Sequence, residues 1–186
     1  MVSVVGIVNS ALIKIGADTI TSLTDDSAEA RAANAQYEKL RDEVLRAHPW
    51  NFAIARAQLP RLAEAPAFGY AHQYQLPADS LRVLLMQGGR AAFEIEGRRL
   101  LTDEETAAVL YIRRVTDPNQ FDAMFAEALA TRIAADLAYP LANSTTLAGA
   151  MMQLYRDALA LARAIDGQEG GPQRALEAAT WIEARG

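Results

Sequence analysis

The fold of this chain is decided in one stretch, Arg41-Asp42-Glu43-Val44-Leu45-Arg46-Ala47-His48-Pro49-Trp50-Asn51-Phe52-Ala53. A helical pattern that enters this stretch has to end within it, because Pro49 disfavours the α conformation at His48 and has no N–H to donate. From Trp50 onward the apolar residues recur at nearly every second position, which favours strands. The stretch therefore predicts a structural corner between a helical and a β segment, formed by His48, Pro49, Trp50, Asn51 and Phe52.

Two helices are predicted before this corner. The first covers about residues 4–15, followed by Gly16 as a cap glycine, and its apolar face carries Val4, Val8, Ala11, Leu12 and Ile15. The second covers about residues 26–47 and begins at a capping Asp25 or Asp26. Its apolar face carries Ala33, Tyr37, Leu40, Val44 and Ala47.

After the corner, about residues 50–116 read as a β insert. Four or five strand-like pieces are expected there, over residues 52–59, 70–76, 81–87, 91–96 and 107–115. The pair Gly88-Gly89 predicts a hairpin between the third and fourth pieces, because a two-residue turn of this kind needs positive φ. Proline residues in the first half of the insert indicate short, irregular or edge strands.

Two more helices are predicted after the insert, over about residues 118–138 and 144–165. Asp117-Pro118-Asn119-Gln120 is typical of a helix start, and Pro140 is expected to end that helix. Ser144 is expected to cap the last helix and Gly167 to close it. Together the four helices predict a mainly α (α+β) fold, a four-helix bundle with a β-stranded insert between helices 2 and 3. Residues 1–166 would be one domain, and 167–186 an extended C-terminal docking tail.

The composition excludes several kinds of chemistry. The 186 residues include no cysteine and only two histidines, which excludes disulfides, thiolate nucleophiles and a histidine-rich metal site. A formal net charge of −5 argues against nonspecific nucleic-acid binding. No apolar run is long enough for a transmembrane helix, so no membrane partner is expected.

No catalytic motif accompanies the polar residues. Asp103-Glu104-Glu105 is interpreted as a solvated loop, and no nucleophile motif accompanies His48. Arg132, which lies within an apolar stripe one turn before Asp136, is interpreted as an internal ion pair. We therefore predict that the protein is not an enzyme and has no catalytic residue, cofactor or metal.

The C-terminal segment is helix-compatible over residues 173–185, although a helix of this length is marginal in water by itself. A docking surface and a frayed terminus are both compatible with this pattern. In the first case, the candidate docking residues are Leu176, Ala179, Trp181, Ile182 and Arg185.

Several motifs in combination indicate a family. They are Leu12-Ile13-Lys14-Ile15-Gly16, Ile20-Thr21-Ser22-Leu23, the corner Pro49-Trp50-Asn51-Phe52-Ala53, Tyr74-Gln75-Leu76-Pro77-Ala78-Asp79 and Leu81-Arg82-Val83. With Tyr37 and Arg41 on the second helix, they resemble the tail tubular protein A family of tailed phages, over most of the chain to about Ile165.

This resemblance implies a structural role in a virion. Members of the family form a ring, twelve-fold in the family, that joins the portal protein to the tail and surrounds the DNA channel. It implies a homo-oligomer of about twelve copies, with the portal and a tail, stopper or nozzle protein as partners, and DNA that passes through the lumen without specific binding. The C-terminal segment would dock on the portal. The protein would be located in the neck of a phage, a prophage particle or a gene transfer agent, after assembly in the host cytoplasm.

Other classes of function remain open. The chain could be a small helical enzyme or ligand-binding domain that uses the β insert as a lid, with His48, His72 and Asp79 nearby. This alternative predicts a well-formed pocket beside the corner and a monomer indifferent to any portal. A bacterial regulator or scaffold with the same architecture would have partners outside a phage particle.

Overall fold

The computed structural model describes residues 2–89 and 91–169. Its helices are α1 (Val4–Lys14), α2 (Ala28–Ala47), α3 (Ala123–Ala142) and α4 (Thr145–Glu169). Its strands are β1 (Ile54–Gln58), β2 (His72–Gln75), β3 (Ser80–Met86), β4 (Phe93–Glu96), β5 (Arg99–Thr102) and β6 (Ala108–Arg113). The described chain divides into two compact units. One, the helical unit, comprises the residues up to Val44 and from Asp117, and the other, the β unit, is Leu45–Thr116.

Helix α3 is the central element of the helical unit. It packs against both α1 and α4. Its buried residues point in almost every direction around the helix axis, as expected for a helix with neighbours on several sides. They are Phe125, Ala128, Leu129, Ala130, Thr131, Ile133, Ala134, Ala135, Leu137 and Ala138.

The limits of α3 differ from those predicted. Asp117 caps only a 3-10 helix, Pro118–Gln120, and α3 itself begins after Asp122, whose carboxylate accepts the N–H of Met124 at 2.7 Å. Pro140 lies inside the last turn of α3, where its missing N–H removes a single hydrogen bond. The helix ends instead at Asn143, which adopts a left-handed conformation with φ of 49°.

The β unit contains two antiparallel sheets of three strands each. The first has the order β1-β6-β3, with Ile54 opposite Ile112, and the second has the order β2-β5-β4, with Tyr74 opposite Leu100. Their shared core consists of Leu59, Tyr74, Leu76, Met86, Leu100, Ala107, Val109 and Tyr111.

The predicted fold class is wrong. The strands do follow the second helix, but they build two sheets with a core of their own, so the fold is mixed α+β and not a four-helix bundle that carries an insert. The description of residues 1–166 as one domain with a tail over 167–186 stays a prediction.

The prediction of a hairpin at Gly88-Gly89 is also wrong. Both glycines have positive φ, 92° and 62°, as the turn requires. However, the strands on either side separate, because β3 pairs with β6 and β4 pairs with β5. The hairpin of the unit lies at Gly97-Arg98, between Glu96 and Arg99, and β5 is the strand that the sequence pattern did not predict.

Candidate interaction surfaces

The chain turns at the predicted corner. Helix α2 ends at Ala47, and a 3-10 helix, Asn51–Ala53, leads into β1. The N–H of Trp50 donates to the carbonyl of His48 at 2.9 Å. The Trp50 ring is buried and stands edge-on to the His48 ring, with 5.0 Å between their centroids. The ring of Phe52 follows at 6.3 Å from that of Trp50. The corner is thus organised around a buried tryptophan.

The predicted docking residues of the tail lie outside the described residues. They are Leu176, Ala179, Trp181, Ile182 and Arg185. Gly167, expected to close α4, lies inside the helix, which is described as far as Glu169.

Helix α4 carries apolar side chains that the described residues of the helical unit leave partly exposed. Its core-facing residues are Met151, Tyr155, Leu159 and Ala162, all of them buried. Beside them, Leu154, Leu161 and Ile165 are 47%, 54% and 38% exposed. Spacings of seven and four residues place these three side chains on one face of the helix. We call this set the α4 stripe. Apolar periodicity alone places Met151, Leu154, Leu161, Ala162 and Ile165 on one face of this helix and does not separate the buried from the exposed side chains.

A groove of about 320 Å³ lies between α1 and α3. Small side chains form most of its helical walls, which explains why two helices that pack together leave space between them. These residues are Gly6, Ser10, Ala123, Ala126 and Ala130. Glu127 also lines the groove and is held by Lys14, with 2.6 Å between Oε1 and Nζ. We call this feature the α1/α3 groove.

The α4 side of α3 and the α1/α3 groove are on different faces of α3. Arg132 lies within 6.0 Å of the centroid of the Tyr155 ring on α4. At 3.6 residues per turn, Arg132 is about 150° around the axis from the alanines that line the groove. Helices α1 and α4 therefore flank α3 from nearly opposite directions.

The charges around Arg132 are paired. Its Nε donates to Glu43 Oε1 at 3.0 Å, and its Nη1 donates to Asp136 Oδ1. Burial lowers the pKa of Arg132, but the hydrogen bonds to Asp136 and Glu43 outweigh this and leave the pKa raised. Burial also raises the pKa of Tyr155, as does the charge of Glu43. Both pKa values are thus shifted further above neutral pH. Arg132 therefore stays charged there, as the predicted ion pair requires.

The two residues that the ligand-binding alternative placed near the corner have separate surroundings in the β unit. Asp79 Oδ1 accepts the hydroxyl hydrogen of Tyr111 at 3.2 Å. His72 lies on β2, opposite Thr102 on β5, and within the described chain its Nδ1 has no hydrogen-bond partner. Among residues 2–89 and 91–169, no group of three or more His, Cys, Asp or Glu residues is placed to hold a metal ion.

Comparison with known proteins gives no assignment, because no protein-family model and no curated protein sequence matches the chain. In the part of the chain that the structure describes, no helix combines the length and the apolar character needed to cross a membrane.

Proposed function

We propose that the chain is a structural subunit of a head-to-tail adaptor ring in a tailed phage or phage-like particle, between the portal and the tail. The proposal joins the sequence resemblance to one structural observation. The helical unit has the partly exposed α4 stripe. It also has the α1/α3 groove, lined mostly by small side chains, on the side of α3 that faces away from α4.

The stripe and the groove are complementary in shape and polarity. Leu154, Leu161 and Ile165 project from α4, whereas the α1/α3 groove is walled mostly by glycine, serine and alanine, with Val2, Ile7 and Glu127 as its larger lining residues. The stripe extends over twelve residues, or about 16 Å along the helix axis, and the groove over about two turns. The α4 stripe of one copy therefore fits the α1/α3 groove of the next copy.

A contact between two different surfaces of the same chain is heterologous. Such contacts generate closed rings when the rotation between copies closes, and open filaments when it does not. Because the two surfaces lie on nearly opposite sides of α3, successive copies add in one direction. This geometry supports a ring rather than a two-fold dimer.

The size of the stripe also predicts how the ring assembles. Complete burial of a leucine or isoleucine side chain contributes about 1.5–3 kcal/mol, and the stripe residues are only about half exposed before contact. Three such side chains give about 3–4 kcal/mol for each contact, which is less than the usual cost of association between two free proteins. We expect a free subunit that is mostly monomeric and a ring that closes on the portal.

In this ring the C-terminal segment docks on the portal, and DNA passes through the lumen without specific binding. The net charge of −5 per chain supports a negative lumen that repels the passing duplex. A tail, stopper or nozzle protein binds on the other side of the ring. The site of action is the neck of the virion, with assembly in the host cytoplasm.

Mass photometry tests the proposal directly. The purified chain is mixed with the portal protein of the same phage or phage-like particle, and we expect the portal mass to increase by about twelve subunits. Leu161→Asp should abolish this increase by placing a charge in the lateral contact. Phe68→Asp is the matched control, since Phe68 is 89% exposed and belongs to the β unit. No mass increase with the unaltered chain would reject the adaptor proposal.

A cross-linking experiment identifies the lateral contact. The chain has no cysteine of its own, so a chain with Leu161→Cys and Ala126→Cys carries only the two introduced thiols. With portal and a mild oxidant, we expect a ladder of covalent oligomers on a denaturing gel. Leu161→Cys with Lys39→Cys on α2 is the control and should give no ladder. A ladder from the control alone would place the lateral contact elsewhere.

Deletion of residues 170–186 tests the role of the tail separately. If the tail docks on the portal, the truncated chain should no longer increase the portal mass. Unchanged binding of the truncated chain would show that another surface holds the portal.

A further inference from the structure

The β unit contains a pocket with three arginines. Its volume is about 420 Å³, and its charged residues are Arg46 in the last turn of α2, Arg82 on β3 and Arg98 in the β4–β5 turn. We call it the arginine pocket. The remaining lining residues are neutral: Leu76, Ser80, Leu81, Val83, Ile95 and Gly97. No carboxylate lines the pocket, although the chain as a whole is acidic.

Two of the arginines are oriented by the backbone. Arg46 Nη1 donates to the carbonyl of Leu81 at 2.6 Å, and Arg98 Nη2 donates to the carbonyl of Pro77. The carbonyl of Arg98 in turn accepts the N–H of Leu76 at 3.0 Å, which fixes the turn that carries this side chain. A guanidinium group has five N–H donors, so each of the two retains donors for a ligand.

The positive charges of the pocket are not neutralised within the described chain. Among residues 2–89 and 91–169, Arg46, Arg82 and Arg98 form no ion pair with any carboxylate. Arginines elsewhere in the chain, such as Arg31 and Arg132, do have carboxylate partners. Three unneutralised guanidinium groups around one pocket attract an anionic group, and planar guanidinium binds carboxylate with two parallel hydrogen bonds.

The two strands that line the pocket, β3 and β4, are edge strands of their sheets. β3 is the outer strand of the order β1-β6-β3, and β4 is the outer strand of the order β2-β5-β4. The pocket takes Ser80, Leu81, Arg82 and Val83 from β3 and Ile95 from β4. An edge strand offers its outward backbone groups to an added strand, which is a recurrent way of binding an extended peptide.

We infer that the arginine pocket binds an extended peptide segment in which acidic residues alternate with apolar residues. Carboxylates on one side of such a segment reach the arginines, while its apolar side chains contact Leu76, Val83 and Ile95. A nucleic-acid strand fits this lining less well, because no aromatic side chain is present to stack on a base. The inference does not depend on the adaptor proposal, since the pocket belongs to the β unit and the lateral contact to the helical unit.

The experiment is a titration of the full chain with a defined pair of peptides. The acidic probe is acetyl-Leu-Asp-Ile-Glu-Leu-amide, and the matched control is acetyl-Leu-Asn-Ile-Gln-Leu-amide. We expect the acidic probe to bind, to perturb the backbone amide NMR signals of residues 76, 78–83 and 95–98, and to lose affinity as salt is added. The amide control should bind about tenfold or more weakly, as expected when charge-assisted hydrogen bonds are lost.

Two arginine variants locate the binding. Arg82→Gln removes an exposed guanidinium that forms no hydrogen bond or ion pair within the described chain, and it should weaken binding of the acidic probe about tenfold. Arg56→Gln is the control, because Arg56 is exposed on β1 and does not line the pocket. Its effect should be under about twofold, since it changes only the net charge.

Three results would overturn the inference. They are equal affinity for the two peptides, an equal loss in the two arginine variants, and no binding of the acidic probe at about 1 mM. A thymidine oligonucleotide that binds at the same signals and displaces the peptide would assign the pocket to nucleic acid instead. The comparison of the two peptides needs no variant, so it remains decisive even if Arg82→Gln fails to fold.

Discussion

Arg132 on α3 forms an ion pair with Glu43 on α2, with 3.0 Å between Nε and Oε1. The same guanidinium bonds Asp136 one turn further along α3 and lies 6.0 Å from the centroid of the Tyr155 ring on α4. One side chain that is 11% exposed thus contacts α2, which is distant in sequence, as well as the neighbouring helix α4. The cluster bridges α2, α3 and α4 within the helical unit.

Replacement of Arg132 should therefore destabilise the helical unit. Arg132→Met keeps much of the apolar stem but leaves Glu43 and Asp136 without their partner, and we expect a loss of about 2–3 kcal/mol in the free energy of unfolding. Glu43→Gln should cost less than about 1 kcal/mol, because Glu43 is 45% exposed. Urea denaturation measures both, with Arg156→Met on the exposed side of α4 as control. Equal effects of Arg132→Met and Arg156→Met would contradict the prediction.

The side chain of Asn9 on α1 should tolerate no change of its amide. Its Oδ1 accepts the N–H of Ile20 and its Nδ2 donates to the carbonyl of Ile20, both at 2.9 Å. Asn9→Asp keeps the shape but places a carboxylate oxygen against that carbonyl, and we expect a loss of about 2 kcal/mol at neutral pH. Asn34→Asp, an exposed position on α2, is the control. Thermal unfolding followed by circular dichroism would contradict the prediction if the two variants melted together.

Tyr37 should be replaceable by phenylalanine without loss. Its side chain is buried, and its hydroxyl has no hydrogen-bond partner in the described part of the chain. Tyr37→Phe should leave the free energy of unfolding unchanged or raise it by about 1 kcal/mol, because an unpaired buried hydroxyl is costly. Tyr111→Phe is the comparison, since the Tyr111 hydroxyl donates to Asp79 and its loss should cost about 1 kcal/mol. Destabilisation by Tyr37→Phe as large as that by Tyr111→Phe would reveal an unseen partner of Tyr37.

Asp25 should give the connector between α1 and α2 a dependence on pH. The N–H groups of Thr21 and Ser22 donate to its carboxylate at 2.8 and 3.0 Å and hold the pKa of Asp25 below the usual value of 3.8. A lowered folded-state pKa contributes stability that is present above 3.8 and is lost as the pH falls through the folded-state value. The stability difference between the protein and Asp25→Asn should thus be constant near neutral pH and decrease in acid. An NMR titration of the Asp25 carboxyl carbon measures the shift, and a normal pKa there would contradict it.

Local signals in the sequence were sufficient to indicate four helices and to place the end of α2 before the corner. Pro49 places the end of α2 correctly, because the restriction that proline imposes on the preceding residue needs no tertiary information. The end of α3 was not predictable in the same way. Pro140 sits in a last turn where only one hydrogen bond is lost, and the left-handed Asn143 terminates the helix.

The pairing of the strands could not be predicted from local sequence patterns. Gly88-Gly89 has the backbone conformation of a tight turn, yet only long-range packing decides that β3 joins β6 and β4 joins β5. Strand β5 is four residues long with two adjacent buried leucines, so it shows no alternation by which it could be recognised.

Part of the candidate surface was visible in the sequence and part was not. The apolar periodicity of α4 predicts an amphipathic helix, but the width of the face that its neighbours cover depends on the packing of α3. Hence the separation of buried Met151 from exposed Leu154 and Leu161 appears only in the structure. The arginine pocket combines α2, β3 and the β4–β5 turn, and no spacing along the chain predicts that combination.

The pairing of Ile54 with Ile112 has a consequence for the order in which the strands of the β unit can form during synthesis. On the ribosome, β4 and β5 can form their hairpin as soon as both have emerged, because only Gly97-Arg98 separates them. β1 and β3 must wait for β6, which is synthesised last in the unit and lies between them in the sheet. Until then the nascent chain carries two strands without a partner, which leaves it open to pairing with other chains. An mRNA truncated before the codon for Ala108 would yield a polypeptide without β6, in which β1 and β3 keep no strand to pair with.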